Sequence, residues 1–251
     1  MSRNFELLHE AGRVQDMLRQ RVVEEAIPEP AEFVPGSPIL PMESMAREEI
    51  TKLVQRLFLS PGTPGARQVV FTGMEPGNGC SWICSRTADV LASQVAGSVC
   101  VVDCNVNLPT LHSEFQVSNH YGLAEALQGS ESIRQFAQQL SRPNLWLLSC
   151  GSQNENSQKL LTVERMRRRM SELRAEFDFV LLDAAPLNLS NHAITLGNWC
   201  DGVVLVIKAN SSTRKAARKA LEGLQAAKVP VLGAILNQRT FPIPDSIYHR
   251  L

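Results

Sequence analysis

Three stretches of this sequence carry residue types that can handle a phosphate group and a metal ion. The first is Thr72-Gly73-Met74-Glu75-Pro76-Gly77-Asn78-Gly79-Cys80-Ser81. It reads as a glycine-rich turn between the apolar run Val69-Val70-Phe71 and a helix-compatible segment. Such a turn aims backbone N–H groups and a helix N-terminus at an anion. A Walker loop would place Gly-Lys-Ser at positions 79 to 81, its lysine reaching the outer phosphates. Here Cys80 holds the lysine's place. The second stretch is Asp103-Cys104-Asn105-Val106-Asn107-Leu108-Pro109, and the third is Leu181-Leu182-Asp183-Ala184-Ala185-Pro186. In each, an apolar strand-like run ends in an acid. Taken singly, a glycine turn or an acid at a strand end is ordinary turn chemistry. A loop followed by two such acids suggests a Mg-nucleotide site, with Ser81 and Asp183 near the metal and Asp103 near the attacking group.

A parallel sheet would position these residues. Near-continuous apolar runs at 68–72, 98–104, 144–149, 177–183, 202–209 and 229–236 read as strands covered on both faces. Helical patterns separate them at 81–96, 122–140 (broken near Gly129), 158–176 and 213–227, and another precedes them at 45–59. The alternation predicts a doubly wound, mostly parallel α/β sheet with helices on both faces. Open sheets of this kind bind ligands at the strand C-termini, where all three stretches fall. Residues 1–42 read as an N-terminal helical arm followed by a proline-rich linker, and 43–251 as the domain.

Lys+Arg and Asp+Glu are both 25 in 251 residues, so net charge is zero and bulk charge does not favour a nucleic-acid partner. No apolar run approaches the ~20 residues of a membrane-spanning helix. Met1-Ser2-Arg3-Asn4-Phe5-Glu6 lacks a signal-peptide core, so the expected location is cytoplasmic. The six cysteines, several in apolar runs, read as reduced thiols. Cys80 at a helix N-terminus is placed for a lowered thiol pKa. With Cys104 it suggests a redox pair or a soft-metal site, against the plainer reading of a lost lysine. The run Arg165-Met166-Arg167-Arg168-Arg169 reads as a solvated helix face, with contact to phosphate or an acidic partner as the alternative.

With these stretches in order, the chain resembles the cytoplasmic bacterial tyrosine kinases of capsule and exopolysaccharide systems. These are relatives of the cell-division and partitioning ATPases. The resemblance rests on the three stretches and on Tyr121-Gly122-Leu123-Ala124-Glu125-Ala126-Leu127, Ala175-Glu176-Phe177-Asp178-Phe179-Val180, Cys200-Asp201-Gly202-Val203-Val204-Leu205-Val206 and Val231-Leu232-Gly233-Ala234-Ile235-Leu236-Asn237. It covers roughly residues 43 to 240 and implies a P-loop NTPase-like fold with ATP or ADP and Mg²⁺ as cofactors. Gly77, Asn78, Gly79, Cys80, Ser81 and Trp82 would line the phosphates. Asn237 would face adenine, Ser81, Asp103 and Asp183 would hold the metal, and Asp103 and Asp183 would be the catalytic acids. The implied partners are a membrane-bound polysaccharide chain-length regulator or an active kinase paralogue, holding the protein at the inner membrane, with homo-oligomers as a further option.

Where the family has lysine, a second acid and arginine, this chain has Cys80, Asn105, and Asn107 with Leu108. His192 replaces an acid after the third motif. Of a ring-building Glu-x-x-Arg-x-x-Arg pattern, Glu48, Thr51 and Val54 keep only the acid. The family's terminal tyrosine cluster shrinks to Tyr248. These departures point to a pseudokinase-type regulator or scaffold. The alternatives are a slow autokinase or ATPase with Tyr248 as acceptor, and a partitioning-type ATPase relative that positions cell-envelope machinery.

Overall fold

The computed structural model describes residue 40 and residues 42–60, 65–152 and 163–238. The N-terminal arm at 1–39 and Tyr248 lie outside the described residues. The described elements run α1 (Ser44–Leu57), β1 (Gln68–Gly73), α2 (Cys80–Gln94), β2 (Val99–Asp103), α3 (Leu111–Glu114), α4 (Leu123–Ala126), a 3₁₀ turn (Ile133–Phe136), β3 (Gln138–Gln139), β4 (Leu145–Leu148), α5 (Val163–Glu176), β5 (Phe179–Ala184), α6 (His192–Gly197), β6 (Gly202–Lys208), α7 (Arg214–Ala226) and β7 (Val231–Asn237).

The strands form one sheet in the order β3-β4-β2-β5-β1-β6-β7, parallel except for the edge strand β3. The expected doubly wound α/β sheet is therefore present. The first two strands are buried along their whole length, which explains why the sequence shows unbroken apolar runs there. Successive side chains serve two separate cores. Val70, Val102, Leu182, Val203 and Leu205 pack beneath α5, α6 and the 3₁₀ turn. Phe71, Val101, Leu181, Val204 and Val206 pack beneath α1 and α2. Ile50, Val54 and Phe58 seat α1 in the second core, and the Phe58 ring meets Phe179 edge-on at 6.0 Å. Val54, one of the positions compared with the ring-building pattern, is fully buried and packs the core, while Glu48 is exposed and pairs with Lys52 at 2.9 Å.

The N-terminal end of the sheet is closed by satisfied carboxylates. Asp201 accepts from the N–H groups of Arg67 (2.7 Å) and Gln68 (2.8 Å) and from Arg174 (2.9 Å). Burial alone would raise its pKa, but these donors hold it below the ordinary value. Asp178 accepts from the Ser98 N–H (2.8 Å) and hydroxyl (2.9 Å), which lowers its pKa in the same way.

Two expectations are corrected. The segment 122–140 is not one broken helix. It holds a single turn (α4), the 3₁₀ turn and the antiparallel edge strand β3. Gly122 explains its start, since a Cβ there would lie 2.2 Å from the Ser149 carbonyl oxygen. The arginine run is not a purely solvated face either. Arg169 is buried and fans out to the carbonyls of Ala126 (2.7 Å), Glu131 (2.8 Å) and Gly129 (2.8 Å), while also pairing with Glu172. It thus satisfies the Ala126 carbonyl at the end of α4 and two carbonyls of the turn that follows. Arg168, on the outer face, only pairs with Glu172.

Arg169→Ala should therefore destabilise the protein by about 2–4 kcal/mol, because three carbonyls lose a charged donor. Arg168→Ala should change stability by less than about 0.5 kcal/mol. Urea unfolding of the two variants beside the native chain measures the difference.

Candidate functional site

The β1 strand delivers the loop. Thr72 is buried and donates its hydroxyl to the Ala185 carbonyl (2.9 Å), joining the ends of β1 and β5. The loop then closes on itself through Asn78, whose Oδ1 accepts from the Glu75 N–H (2.8 Å). Gly77 and Gly79 have φ of 79° and 78°, the left-handed region that favours glycine. A Cβ on the exposed Gly77 would meet nothing within 4 Å, so only its backbone conformation calls for glycine there. At Gly79 the limit is different, since a Cβ would lie 2.3 Å from Asn237 Nδ2. Gly79 is the N-cap of α2, and no side chain caps that helix. Its first-turn N–H groups therefore lack a capping side chain, the arrangement that a bound anion would satisfy.

Asn237 reaches the loop from the neighbouring edge of the sheet. Its Nδ2 donates to the Asn78 carbonyl (2.9 Å), and its Oδ1 accepts from the Gln238 N–H (2.8 Å). Its role toward the protein is to clamp the loop, which leaves one amide hydrogen and one oxygen lone pair for a base. Sequence reasoning missed Ser212, whose Oγ accepts from Asn78 Nδ2 at 3.4 Å. A serine in the turn between β6 and α7 gives no signal of its own. Trp82 on the first turn of α2 lies 4.9 Å beneath the Arg86 guanidinium, and Arg86 pairs with Glu114 of α3.

Asp103 and Asp183 stand side by side, as register partners at the ends of β2 and β5. Both are buried, at 0% and 1% exposure. They differ in their partners. Asp103 accepts from the N–H groups of Asn105 (3.1 Å), Thr110 (3.0 Å) and Leu111 (3.0 Å), so it also ties down the start of α3. Neither oxygen of Asp183 receives a hydrogen bond of regular geometry. The Ser81 hydroxyl and Cys80 thiol are the donors near enough to steady its charge in part. Burial raises Asp103 to about 6, despite its three N–H donors. Burial and the neighbouring Asp103 charge raise Asp183 to about 7.

The expected activation of Cys80 does not occur. Its thiol pKa is pushed well above the ordinary value, first by burial and then by the Asp183 carboxylate. The thiol is half-buried at the surface of the loop and faces two acids, both of which disfavour its anion. Cys84 and Cys104 are raised for the same reasons. Among the described residues there is no cluster of three or more His, Cys, Asp or Glu side chains that could hold a metal. His192 instead begins α6 and lines a pocket of about 110 Å³ with Cys104, Met166, Thr195, Leu196 and Trp199.

A hard divalent ion asks for few protein oxygens when a phosphate supplies the others. The Asp183 carboxylate, with no hydrogen bond of regular geometry and Ser81 beside it, fits that demand, and the uncapped start of α2 fits a phosphate. Mg²⁺ bound there would neutralise phosphate charge. This chain's own residues would orient the anion through the α2 N–H groups and hold the loop through Asn78 and Asn237.

The fold and loop define a P-loop NTPase-like α/β protein. The family model for the cellulose biosynthesis protein BcsQ matches residues 66–227. The tyrosine-protein kinase YwqD of Bacillus subtilis (strain 168) is 33% identical over 171 residues, covering 68% of this chain and 72% of the relative. The tyrosine-protein kinase etk of Escherichia coli (strain K12) is 28% identical over 169 residues, covering 67% of this chain but 23% of the relative, so the chain spans under a quarter of that protein. The solved kinase domain of Escherichia coli ETK superposes with a TM-score of 0.72 at 22% identity, covering 85% of this chain and 86% of that one. The chain belongs to the BcsQ family and is related to the bacterial tyrosine-protein kinases.

Two outcomes follow from the electrostatics. The folded-state pKa of both acids is raised, so the folded protein keeps protons that the unfolded chain has lost. Stability should therefore fall as pH rises from about 4 through the folded values of about 6 and about 7, and level off above them. Asp183→Asn should flatten this slope and raise the melting temperature at pH 8 by roughly 3–6 °C, as read by calorimetric melts from pH 5 to pH 8.5. Cys80, with its thiol held protonated, should be alkylated by iodoacetamide at pH 7.5 at least about tenfold more slowly than glutathione, as read by peptide mass spectrometry.

Proposed function

We propose that this protein is a tyrosine-kinase-like regulator or scaffold of exopolysaccharide assembly that binds ATP or ADP with Mg²⁺ and turns it over poorly or not at all. The observation that carries this reading is the pairing of an intact backbone cradle with a missing charge. Gly77 and Gly79 hold the left-handed conformations of the loop, and α2 presents an uncapped N-terminus, yet position 80 is a protonated thiol. Arg86, the cation on the same helix, is committed to Glu114. Binding by backbone N–H groups survives a side-chain change. Phosphoryl transfer depends on positioning and charge stabilisation, and removal of one preorganised donor commonly costs on the order of 10²–10³ in rate.

The setting is supported by the relatives, a cellulose biosynthesis protein and tyrosine-protein kinases. Among the described residues no helix is long and apolar enough to cross a membrane. In this reading the protein reaches the inner membrane through a partner, either a polysaccharide chain-length regulator or an active kinase. The N-terminal arm and α1 are its docking elements. Because Val54 packs the core where the family builds its ring, the assembly would be a monomer or dimer.

Calorimetric titration of Mg-ADP and Mg-ATP into the native protein and Cys80→Lys, with phosphate release and phosphotyrosine followed in parallel, tests this. The native chain should bind with a roughly micromolar Kd and show no turnover, while Cys80→Lys should bind about tenfold more tightly. Hydrolysis or phosphotyrosine on the native protein would instead make it an active ATPase or kinase. Absence of binding by both proteins would remove the nucleotide from its function.

A further inference from the structure

The sequence has no cation between Gly73 and Trp82. Beneath the loop, Asp183 is 1% exposed, and neither of its oxygens is hydrogen-bonded in regular geometry. A phosphate at the start of α2 would thus meet backbone dipoles on one side and buried acids on the other. The Arg86 guanidinium is held by Glu114 and donates to the Ser85 hydroxyl at 3.0 Å, so it does not serve the loop. A balancing charge must come from another element.

The end of β6 supplies it. Side chains two apart on a strand share a face. Val204 and Val206 lie in the core beneath α2, whereas Val203 and Leu205 lie in the opposite core. Lys208 continues the row of Val204 and Val206 and so leaves the sheet on the α2 side, at the C-terminal edge where the loop sits. Its register partner is Asn237, which donates to the Asn78 carbonyl and borders Gly79.

The turn that follows Lys208 is fixed against the same loop. The Ala209 N–H donates to the Asn237 carbonyl (2.8 Å), the Ser212 N–H donates to the Lys208 carbonyl (3.2 Å), and Ser212 Oγ accepts from Asn78. The Lys208 backbone is therefore anchored on two sides to residues that touch the loop. The first turn of α7 carries Arg214 and no acid, so the local field there favours an anion.

We infer that Lys208 is the phosphate-binding cation of this protein, reaching from β6 to the nucleotide in place of the lysine missing at position 80. The role rests on the nucleotide-binding reading above and adds a specific residue to it. An ammonium on a flexible four-carbon stem can serve a phosphate as a point charge from more than one direction. The two geometries are not equivalent for chemistry. A loop lysine follows the transferring group along its own helix, whereas a cation from the neighbouring strand approaches across the base side of the cleft. Such an arrangement retains phosphate affinity without rebuilding the catalytic array.

Competition titrations with Mg-ADP and adenosine, read by calorimetry, test the assignment on the full chain. The proteins compared are native, Lys208→Met, Lys219→Met and the double variant Lys208→Met/Cys80→Lys. Lys208→Met should weaken Mg-ADP by about tenfold or more and leave adenosine unchanged, since a charged hydrogen bond is lost. Lys219→Met, which removes a cation farther along α7, should bind as the native chain does. The double variant should recover the lost affinity. If the native chain binds Mg-ADP and Lys208→Met binds it equally well, the assignment is wrong while the nucleotide reading stands. Equal weakening by Lys208→Met and Lys219→Met would also overturn it, since bulk charge would then account for the effect. If the native chain does not bind Mg-ADP, the nucleotide reading fails and the assignment goes with it.

Discussion

The arrangement on which this structure turns is a pair of carboxylates held in register at the ends of two central strands. Asp103 and Asp183 are adjacent because β2 and β5 are adjacent, and both are buried because helices cover both faces of the sheet. The same burial that makes the parallel sheet stable raises the free energy of any charge placed there. Asp103 offsets part of that with three backbone donors. Asp183 has no such set. The loop and the start of α2, through Ser81 and Cys80, lie against this one group.

Much of this was legible in the sequence. The unbroken apolar runs identified the parallel strands, because a strand buried on both faces has no polar positions to alternate with. The acids at the ends of β2 and β5 stood out for the same reason, each ending such a run. The segment at 122–140 was misread because its apolar spacing suits a helix, while the steric limit at Gly122 and the carbonyl-binding Arg169 act from distant parts of the chain. Arg169 itself was hidden within a run of like residues. Only the tertiary fold separates one buried guanidinium from its exposed neighbours.

The site was legible in type more than in detail. Glycine spacing marked the loop, and its conformation agrees with the reading. The role of Asn78 in closing the loop, and those of Asn237 and Ser212 in clamping it, depend on side-chain contacts between sequence-distant residues. Cys80 shows the limit of local rules. A thiol at a helix start is ordinarily activated, yet here burial and two neighbouring acids push its pKa up. The helix terminus contributes a fixed fraction of a charge, and the surroundings decide whether that fraction prevails.

The two ends of the sheet differ in a way that bears on how such proteins change over time. At the N-terminal end Asp178 and Asp201 are fully engaged with neighbouring donors and help hold the strands together. At the C-terminal end the acid beside the loop has no comparable set of donors, although the loop itself is tied in through the buried Met74 and Asn78. Removing a charge there leaves the sheet's foundations in place and relieves a buried carboxylate, so loss of an acid in the head of the molecule favours folding. An architecture divided in this way can surrender one chemistry and acquire another without ceasing to be a stable, inheritable scaffold.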